Sequence, residues 1–179
     1  VDLTYIVMDN QIYGLTTGQV SPTSRLDMRT KSTPNGSVEN PVNPLTTAIM
    51  NGATFVARGF SGDTKHLTML MKKAIEHKGF AHINVLSPCV TFNHDNDFPF
   101  FKPRVRRLED EEHDISDWKA ACEKAMIWDD TIYTGIFLQM DGLPTLDQQE
   151  PVLDNGGPLS SRQLGLSKNQ TKKILDRMM

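Results

Sequence analysis

Cysteine is scarce in this 179-residue chain, and several familiar signals are missing from it. Cys89 and Cys122 are too few for the disulfide framework of a small secreted domain. No apolar run approaches the ~18 residues that a membrane-spanning helix requires. The formal net charge is −3, so the chain lacks the basic excess of a nucleic-acid-binding surface. These absences predict a cytoplasmic protein with no membrane or nucleic-acid partner.

The start of the chain carries no recognisable targeting signal. It opens on Val1-Asp2-Leu3, without a methionine and without the basic segment that begins a secretory signal peptide. Opening directly on an apolar run indicates a segment of a longer chain or a processed one. The length and the 38% hydrophobic content are sufficient for one domain with a substantial core.

Strand-like and helix-like segments alternate through the first half of the chain. Leu3–Met8 is a nearly continuous β-favouring run, which predicts a strand buried on both faces of a parallel sheet. Further strands are predicted at 53–57 and 81–86, and helices at 44–50 and 63–78. Ser61 is expected to cap the second helix, whose apolar residues form one stripe that is interpreted as core: Leu67, Leu70, Met71, Ala74 and Ile75. This order predicts an α/β fold, in which ligands gather beyond the carboxyl ends of the strands.

The remaining segments are more irregular. Residues 20 to 44 are rich in Ser, Thr, Pro, Asn and Gly and predict a long surface loop. A helix capped by Ser116 is predicted next, then a late strand or extended arm at Tyr133–Met140. A chain break is predicted at 154–158, before a tail helix at Ser167–Met178.

The most distinctive segment follows the first predicted strand. Asp9 to Gln19 reads Asp-Asn-Gln-Ile-Tyr-Gly-Leu-Thr-Thr-Gly-Gln, and Ser21-Pro22-Thr23 comes soon after. An Asn amide oxygen at a strand end and a backbone carbonyl two residues later are hard oxygen ligands of the kind that Mg²⁺ prefers. The alternative is a plain turn in which Asn10 bonds only the local backbone.

This segment resembles the end of the thiamine diphosphate motif in the β subunits of 2-oxoacid:ferredoxin oxidoreductases. The family motif begins with Gly-Asp-Gly, at a position that would lie upstream of Val1. The resemblance implies that Asn10 and Ile12 provide a side-chain and a carbonyl ligand to Mg²⁺. It implies that Gly14 lets the backbone approach the diphosphate. It further implies that the cofactor site extends to Leu15 and Thr16, near the reactive thiazolium and the substrate.

Thr17 departs from the family pattern. Many relatives place Lys at this position, where a cation could meet the distal carboxylate of a 2-oxoacid. The departure therefore bears on which 2-oxoacid is used. No side chain is singled out as catalytic, since the cofactor carries the chemistry, and Leu15, Thr16 and Thr17 are expected to lie near the thiazolium and the substrate.

A second matching segment runs from Val85 to Asn93 and contains Ser87-Pro88-Cys89. The resemblance implies that Cys89 is one of four thiolate ligands to a [4Fe–4S] cluster, with the other three in the N-terminal region of the family. The alternative is a small buried residue after a strand. Cys122 lies on the apolar stripe of a predicted helix and is interpreted as core.

Residues 98–112 contain a cluster of aromatic and charged side chains, which is a less specific signal of function than the two motifs above. Arg104, Arg106 and Arg107 could meet an acidic partner such as ferredoxin, or could form a solvated face balanced by the acidic run at 109–112. The three phenylalanines at 98–101 are expected to pack inside the protein or against a partner subunit.

The resemblance covers about residues 1 to 146 and implies a three-layer thiamine-diphosphate-binding fold with a mainly parallel sheet, lacking its first portion. Residues 1–93 would be the C-terminal part of the cofactor-binding domain. Residues 94–179 would be a C-terminal extension that packs on that domain or on the partner subunit.

The implied activity is oxidative decarboxylation of a 2-oxoacid with coenzyme A, with electrons passing to ferredoxin. The favoured substrate is 2-oxoglutarate, with pyruvate second, and the cofactors are thiamine diphosphate, Mg²⁺ and the cluster. An α subunit would complete an (αβ)₂ assembly. Two alternatives stay open: a non-catalytic fragment that only binds its partner subunit, and a thiamine-dependent decarboxylase or synthase without a cluster.

Overall fold

The computed structural model describes residues 1–128, 130–154, 159–162 and 165–178. Five strands in these ranges form one sheet. The strands are β1 (Leu3–Asp9), β2 (Phe55–Phe60), β3 (Phe80–Leu86), β4 (Val105–Arg107) and β5 (Ile132–Gln139). Their order across the sheet is β1-β3-β2-β5-β4. Between β1 and the first helix the chain has no regular element, which confirms the long loop at 20–44.

The helices follow the predicted positions closely. They are α1 (Pro44–Met50), α2 (Thr64–Glu76), α3 (Phe98–Phe101), α4 (Trp118–Met126), α5 (Leu146–Gln149), α6 (Pro151–Asp154) and α7 (Lys168–Met178), with 3₁₀ turns at Leu108–Asp110 and Leu159–Ser161. Asn43 caps α1 by accepting from two backbone N–H groups, as Asn before Pro predicts. The predicted caps Ser61 and Ser116 are replaced by the aspartates that follow them. Asp63 caps α2 and Asp117 caps α4, because their carboxylates accept from backbone N–H groups of the first turn.

Strand pairing confirms a mainly parallel sheet. β1 and β2 both run parallel to β3. β5 is the exception, since it pairs antiparallel with β2 and parallel with the short β4. β2 begins two residues later than predicted and extends to Phe60, so all six of its residues lie buried between neighbouring strands.

Helices cover both faces of the sheet, which gives three layers. Val56 packs with α1 and α4 on one face. Phe55 and Ala57 point the other way, where Leu70 and Ala74 of α2 pack on them. Burying a side chain such as Leu70, which is 0% exposed, stabilises the fold by roughly 1.5–3 kcal/mol.

The first strand does not fit the prediction that it is buried on both faces. Leu3, Tyr5 and Met8 are 49%, 55% and 63% exposed, and only Asp9 at its end is buried. The reason is that β1 is the edge of the sheet: it pairs with β3 on one side, and no described strand lies on the other. An apolar pattern alone cannot distinguish a central strand from such an edge.

The chain divides into two compact units, 1–143 and 144–179. The first contains the whole sheet with α1 to α4, and the second contains α5, α6 and α7. The predicted boundary at residue 93, between cofactor-binding domain and C-terminal extension, stays a prediction. The predicted chain break falls largely on 155–158, outside the described residues. Among the helices that are described, none is both long and apolar enough to cross a membrane.

Candidate functional site

The turn that follows β1 holds both predicted metal ligands. The Ile12 N–H donates to Asn10 Oδ1 at 3.3 Å, so the local bond of the plain-turn alternative is present. An amide oxygen has two lone pairs, and this bond occupies one of them. The Ile12 side chain is 2% exposed and anchors the turn. Within the described ranges no group donates to the Ile12 carbonyl. Both oxygens therefore fit a hard cation.

The next segment forms a closed loop with an exposed tip. Tyr13 N–H donates to Gln19 O at 2.8 Å, and Gly18 N–H donates back to Tyr13 O at 3.1 Å. Thr17 adopts a φ of 63°, which tightens the turn. Leu15 at the tip is 99% exposed. A side chain so open to solvent is available to a ligand rather than to the core.

The predicted cluster cysteine lies directly beside this loop. A Cβ placed on Gly14 would be 3.5 Å from Cys89 Sγ and 3.9 Å from Asn10 Nδ2. The two predicted sites are thus brought together at the ends of β1 and β3. Both distances are ordinary van der Waals contacts, so the described protein atoms leave room for a Cβ at position 14.

A buried asparagine joins the two segments. Asn93 is 0% exposed and donates from its side chain to the Asn10 carbonyl at 3.0 Å. Its own N–H bonds the Cys89 carbonyl at 2.9 Å. Asn96 adds a side-chain bond to Gln11, the residue between the two predicted metal ligands. The turn that carries Cys89 and the turn that carries Asn10 are therefore one bonded structure.

Asp9 is the buried acceptor at the base of that structure. It is 6% exposed and accepts from Thr23 Oγ1 at 2.6 Å, Asn84 Nδ2 at 3.3 Å and Gln11 N–H at 3.2 Å. These bonds satisfy a carboxylate that would otherwise be costly to bury. They also fix the direction in which the chain leaves β1 toward Asn10.

Arg58 lies near Asp9 in the middle of β2 and is 1% exposed. Its guanidinium donates to the carbonyls of Tyr133 and Ala125 at 3.2 and 3.3 Å. It also lies over the Trp128 ring, 5.1 Å from the centroid. Burial lowers the pKa of Arg58 to about 10, and the Asp9 charge opposes that shift.

A cavity of about 260 Å³ lies between these groups. Arg58 Nε and Asn84 Oδ1 are buried there without a hydrogen-bond partner in the described protein. Sequence reasoning missed both residues. The available signal was a single charged or amide residue interrupting an otherwise apolar strand, as in Val56-Ala57-Arg58 and Ile83-Asn84-Val85. Such interruptions in a central strand need a buried partner.

The two cysteines have different surroundings. Cys122 is 6% exposed on α4 within the core, as predicted, and burial raises the pKa of its thiol. Cys89 is partly exposed on its turn. In the described part of the chain no three His, Cys, Asp or Glu side chains converge on a possible metal position. A [4Fe–4S] cluster needs four thiolate ligands, and Cys89 fits as one of them.

The arginine cluster is held by internal contacts. The ion pair with Asp63 raises the pKa of Arg107, and the charges of Asp110 and Glu109 in the acidic run add to that effect. This agrees with the alternative of a solvated face balanced by the acidic run. Arg104 stacks on the Phe100 ring, with 4.3 Å to its centroid, and Arg106 bonds neighbouring carbonyls. Phe101 is 2% exposed, which confirms that it packs inside the protein.

Comparison with known families first defines the class of protein. Residues 1–85 match the family described as thiamine pyrophosphate enzyme, C-terminal TPP binding domain. Residues 89–155 match the family described as the C terminal of the pyruvate ferredoxin oxidoreductase beta subunit. The two matches meet between β3 and Cys89, so the Asn10 turn belongs to the first and the cysteine to the second.

Individual relatives make the assignment narrower. The chain is 43% identical over 160 residues to the 2-oxoacid:ferredoxin oxidoreductase subunit beta of Saccharolobus solfataricus, covering 83% of this chain and 52% of the relative. It is 43% identical over 93 residues to the 2-oxoglutarate oxidoreductase subunit KorB of Mycobacterium tuberculosis, covering 52% of this chain and 25% of the relative. The chain belongs to the family of 2-oxoacid:ferredoxin oxidoreductase β subunits.

A solved structure agrees with this assignment. The 2-oxoglutarate:ferredoxin oxidoreductase from Magnetococcus marinus, with 2-oxoglutarate, coenzyme A and succinyl-CoA bound, superposes with a TM-score of 0.85 at 41% identity. The match covers 97% of this chain and 58% of that chain. The α/β fold and the family resemblance are thereby confirmed. The chain spans about half the length of the first curated relatives that it matches.

Proposed function

We propose that this chain is the part of a β subunit that completes a thiamine diphosphate site and contributes to an iron–sulfur cluster. The enzyme would oxidatively decarboxylate a 2-oxoacid with coenzyme A, giving acyl-CoA and CO₂, and would pass the released electrons singly to ferredoxin. The observation that carries the proposal is the proximity of Gly14 to Cys89, since a Cβ added at position 14 would lie 3.5 Å from Sγ. It brings the predicted cofactor loop and the predicted cluster ligand together.

The Asn10 turn supports the magnesium part of the proposal. Asn10 Oδ1 and the Ile12 carbonyl would hold Mg²⁺, which in turn would hold the diphosphate. Thiamine diphosphate, when bound, supplies the electron sink for the loss of CO₂. Leu15 and Thr16 would lie beside its thiazolium, and the exposed tip of their loop leaves space for it.

Three observations on relatives favour 2-oxoglutarate as the substrate. The Mycobacterium tuberculosis relative is a 2-oxoglutarate oxidoreductase subunit, and that of Methanocaldococcus jannaschii is a 2-oxoglutarate synthase subunit. The Magnetococcus marinus structure holds 2-oxoglutarate and succinyl-CoA. Pyruvate is the second candidate substrate.

The proposed partners follow from the same family. An α subunit would complete an (αβ)₂ assembly, and ferredoxin would accept the electrons. The proposed location is the cytoplasm, where a reducing environment keeps Cys89 out of disulfides and available as a ligand.

The decisive experiment exchanges each of the two cysteines for serine in the complete β subunit, purified together with its α subunit. Cys89→Ser should abolish ferredoxin reduction and lower the iron and sulfide content, because a serine hydroxyl is a poor substitute for a thiolate ligand. Cys122→Ser is the matched control and should keep the cluster, at some cost in stability. Iron content, visible absorption and CoA-dependent ferredoxin reduction with 2-oxoglutarate are the measurements.

Full activity of the Cys89 variant would overturn the cluster assignment. The enzyme would then be a thiamine-dependent decarboxylase or synthase without a cluster, the alternative that the family assignment disfavours.

A second candidate role concerns the chain by itself. Because it spans about half of its first curated relatives, it could act alone only as a subunit-interaction domain. The isolated chain should then bind the α subunit in a pull-down while showing no 2-oxoacid oxidation. Activity of the isolated chain would contradict that role.

A further inference from the structure

A basic cleft lies beside the loop that would face the substrate. It has a volume of about 600 Å³, and three separate segments form it. The first is the loop tip after β1, the second is part of the long loop before α1, and the third is the turn after Cys89. The lining residues that matter here are Thr17, Gly18, Arg29, Lys31, Phe92 and His94.

The charge in this cleft is not neutralised by the protein. In the ranges that the structure describes, neither Arg29 nor Lys31 forms an ion pair, and no acidic residue lines the cleft. Nearby Arg25, by contrast, is paired with Asp95 at 2.6 Å. Two cations facing one cleft without counter-charges attract an anion.

The segment that carries both cations is held in place. Asp27 N–H donates to Ser37 O at 2.8 Å, and Ser37 N–H donates to Met28 O at 3.0 Å, which closes the loop at its base. Met28 is 3% exposed and anchors it to the core. Gly36 has a φ of +94° and lies so close to Asp27 that a Cβ would be 3.1 Å from its backbone. The two cations therefore lie on a segment that hydrogen bonds and packing hold in place.

The opposite wall is fixed by the cofactor and cluster segments. A Cβ on Gly18 would lie 3.5 Å from Phe92 Cβ, so the loop tip rests on the turn that carries Cys89. Thr17 N–H donates to Gly14 O at 3.1 Å, which keeps the cleft within a turn of Leu15 and Thr16. The distal end of a small substrate held there would reach the cleft.

We infer that Arg29 and Lys31 bind the distal carboxylate of a dicarboxylic 2-oxoacid, and so replace the cation that many relatives carry at position 17. The inference rests on the proposed function. It explains how Thr17 can stand where a lysine is common without loss of a dicarboxylate substrate. His94 lines the same wall.

The test is the double variant Arg29→Gln/Lys31→Gln in the complete β subunit assembled with its α subunit. We expect the KM for 2-oxoglutarate and the Ki of glutarate, a dicarboxylate that cannot react, to rise about tenfold or more. The kcat/KM for pyruvate and the KM for coenzyme A should change less than about twofold, because neither would use the cleft.

The matched control is Lys65→Gln/Lys72→Gln, which removes two positive charges from exposed positions on α2, on the other side of the molecule's sheet from α1. It should leave all these constants unchanged. Adding Thr17→Lys to the Arg29/Lys31 double variant should restore much of the affinity for 2-oxoglutarate.

Each negative result refutes a different claim. A wild-type enzyme that oxidises no 2-oxoacid refutes the proposed function. A wild-type enzyme active with 2-oxoglutarate, whose double variant keeps the KM and Ki of the wild type, refutes the inference alone. A rise in the KM for coenzyme A without a change for 2-oxoglutarate also overturns it, because the cleft would then hold the phosphates of coenzyme A.

Discussion

Two adjacent parts of the candidate site are built in opposite ways. The turn 9–12 is buried and bonded by side chains from β3, from the long loop and from the cysteine turn. The loop 13–19 is closed mainly by backbone bonds between its own residues, and its tip is open to solvent. Asp9 is 6% exposed, whereas Leu15, six residues later, is 99% exposed.

This difference separates two tasks. Metal ligands need a fixed geometry, and the bonded turn would supply it for the proposed ligands Asn10 and Ile12. A substrate must enter and leave, and the open loop permits that. Mutations in the first part should therefore act on stability and cofactor affinity, and mutations in the second on turnover. Three substitutions test this division.

The largest effect on stability is expected from Asp9→Ala. It removes the carboxylate that accepts from Thr23 and Asn84 and that offsets the buried charge of Arg58, at a cost of about 3 kcal/mol. Urea unfolding followed by circular dichroism measures the loss, and titration of the assembled enzyme with Mg²⁺ and thiamine diphosphate should show weaker binding. A variant as stable as the wild type would show that the Asp9 network does not hold the turn.

A smaller effect is expected from Thr23→Val, which keeps the shape of the side chain but removes its 2.6 Å bond to Asp9. The free energy of unfolding should fall by about 1.5 kcal/mol, as for a hydrogen bond to a charged group. Thr23→Ser keeps the hydroxyl and serves as the control. Equal losses for Val and Ser would assign the effect to the methyl group instead.

The smallest effect on stability is expected from Leu15→Ala. The side chain has almost no protein contacts to lose, so the free energy of unfolding should change by less than about 0.5 kcal/mol. The kcat/KM for 2-oxoglutarate should nevertheless fall about tenfold, because the side chain is expected to position the reacting groups. An unchanged kcat/KM would remove Leu15 from the site and weaken the division between the two parts.

Local sequence signals account for much of the observed fold. Asn43 before Pro44 predicted α1 at its observed bounds, and the apolar spacing of Leu70 and Ala74 predicted the buried face of α2. The proposed cofactor loop and Cys89 were singled out because their residues form specific motifs at strand ends, and their roles stay predictions. Ile75 was counted in the same stripe as Leu70 but is 68% exposed, so the prediction was wrong for this residue.

The features that escaped prediction depend on contacts between distant segments. The exposure of β1 depends on its place in the sheet order, which its own apolar residues do not encode. Arg58 fell just beyond the strand predicted at 53–57, and nothing in the local sequence indicated a role for it in the site. Its burial depends on carbonyls and a ring from residues 125–133, far along the chain. The antiparallel pairing of β5 with β2 likewise joins residues that are far apart in the sequence.

The hydrogen bonds that hold the turn 9–12 also bear on the order of folding. Asn84, Asn93 and Asn96 reach Asp9, Asn10 and Gln11 across 75, 83 and 85 residues of sequence. Closing loops of that length costs conformational entropy before any of these contacts repays it. The turn should therefore gain its final form late, after β3 has joined the sheet. A nascent or partly folded chain would not yet hold the cofactor, which would reach the site only once that topology is complete.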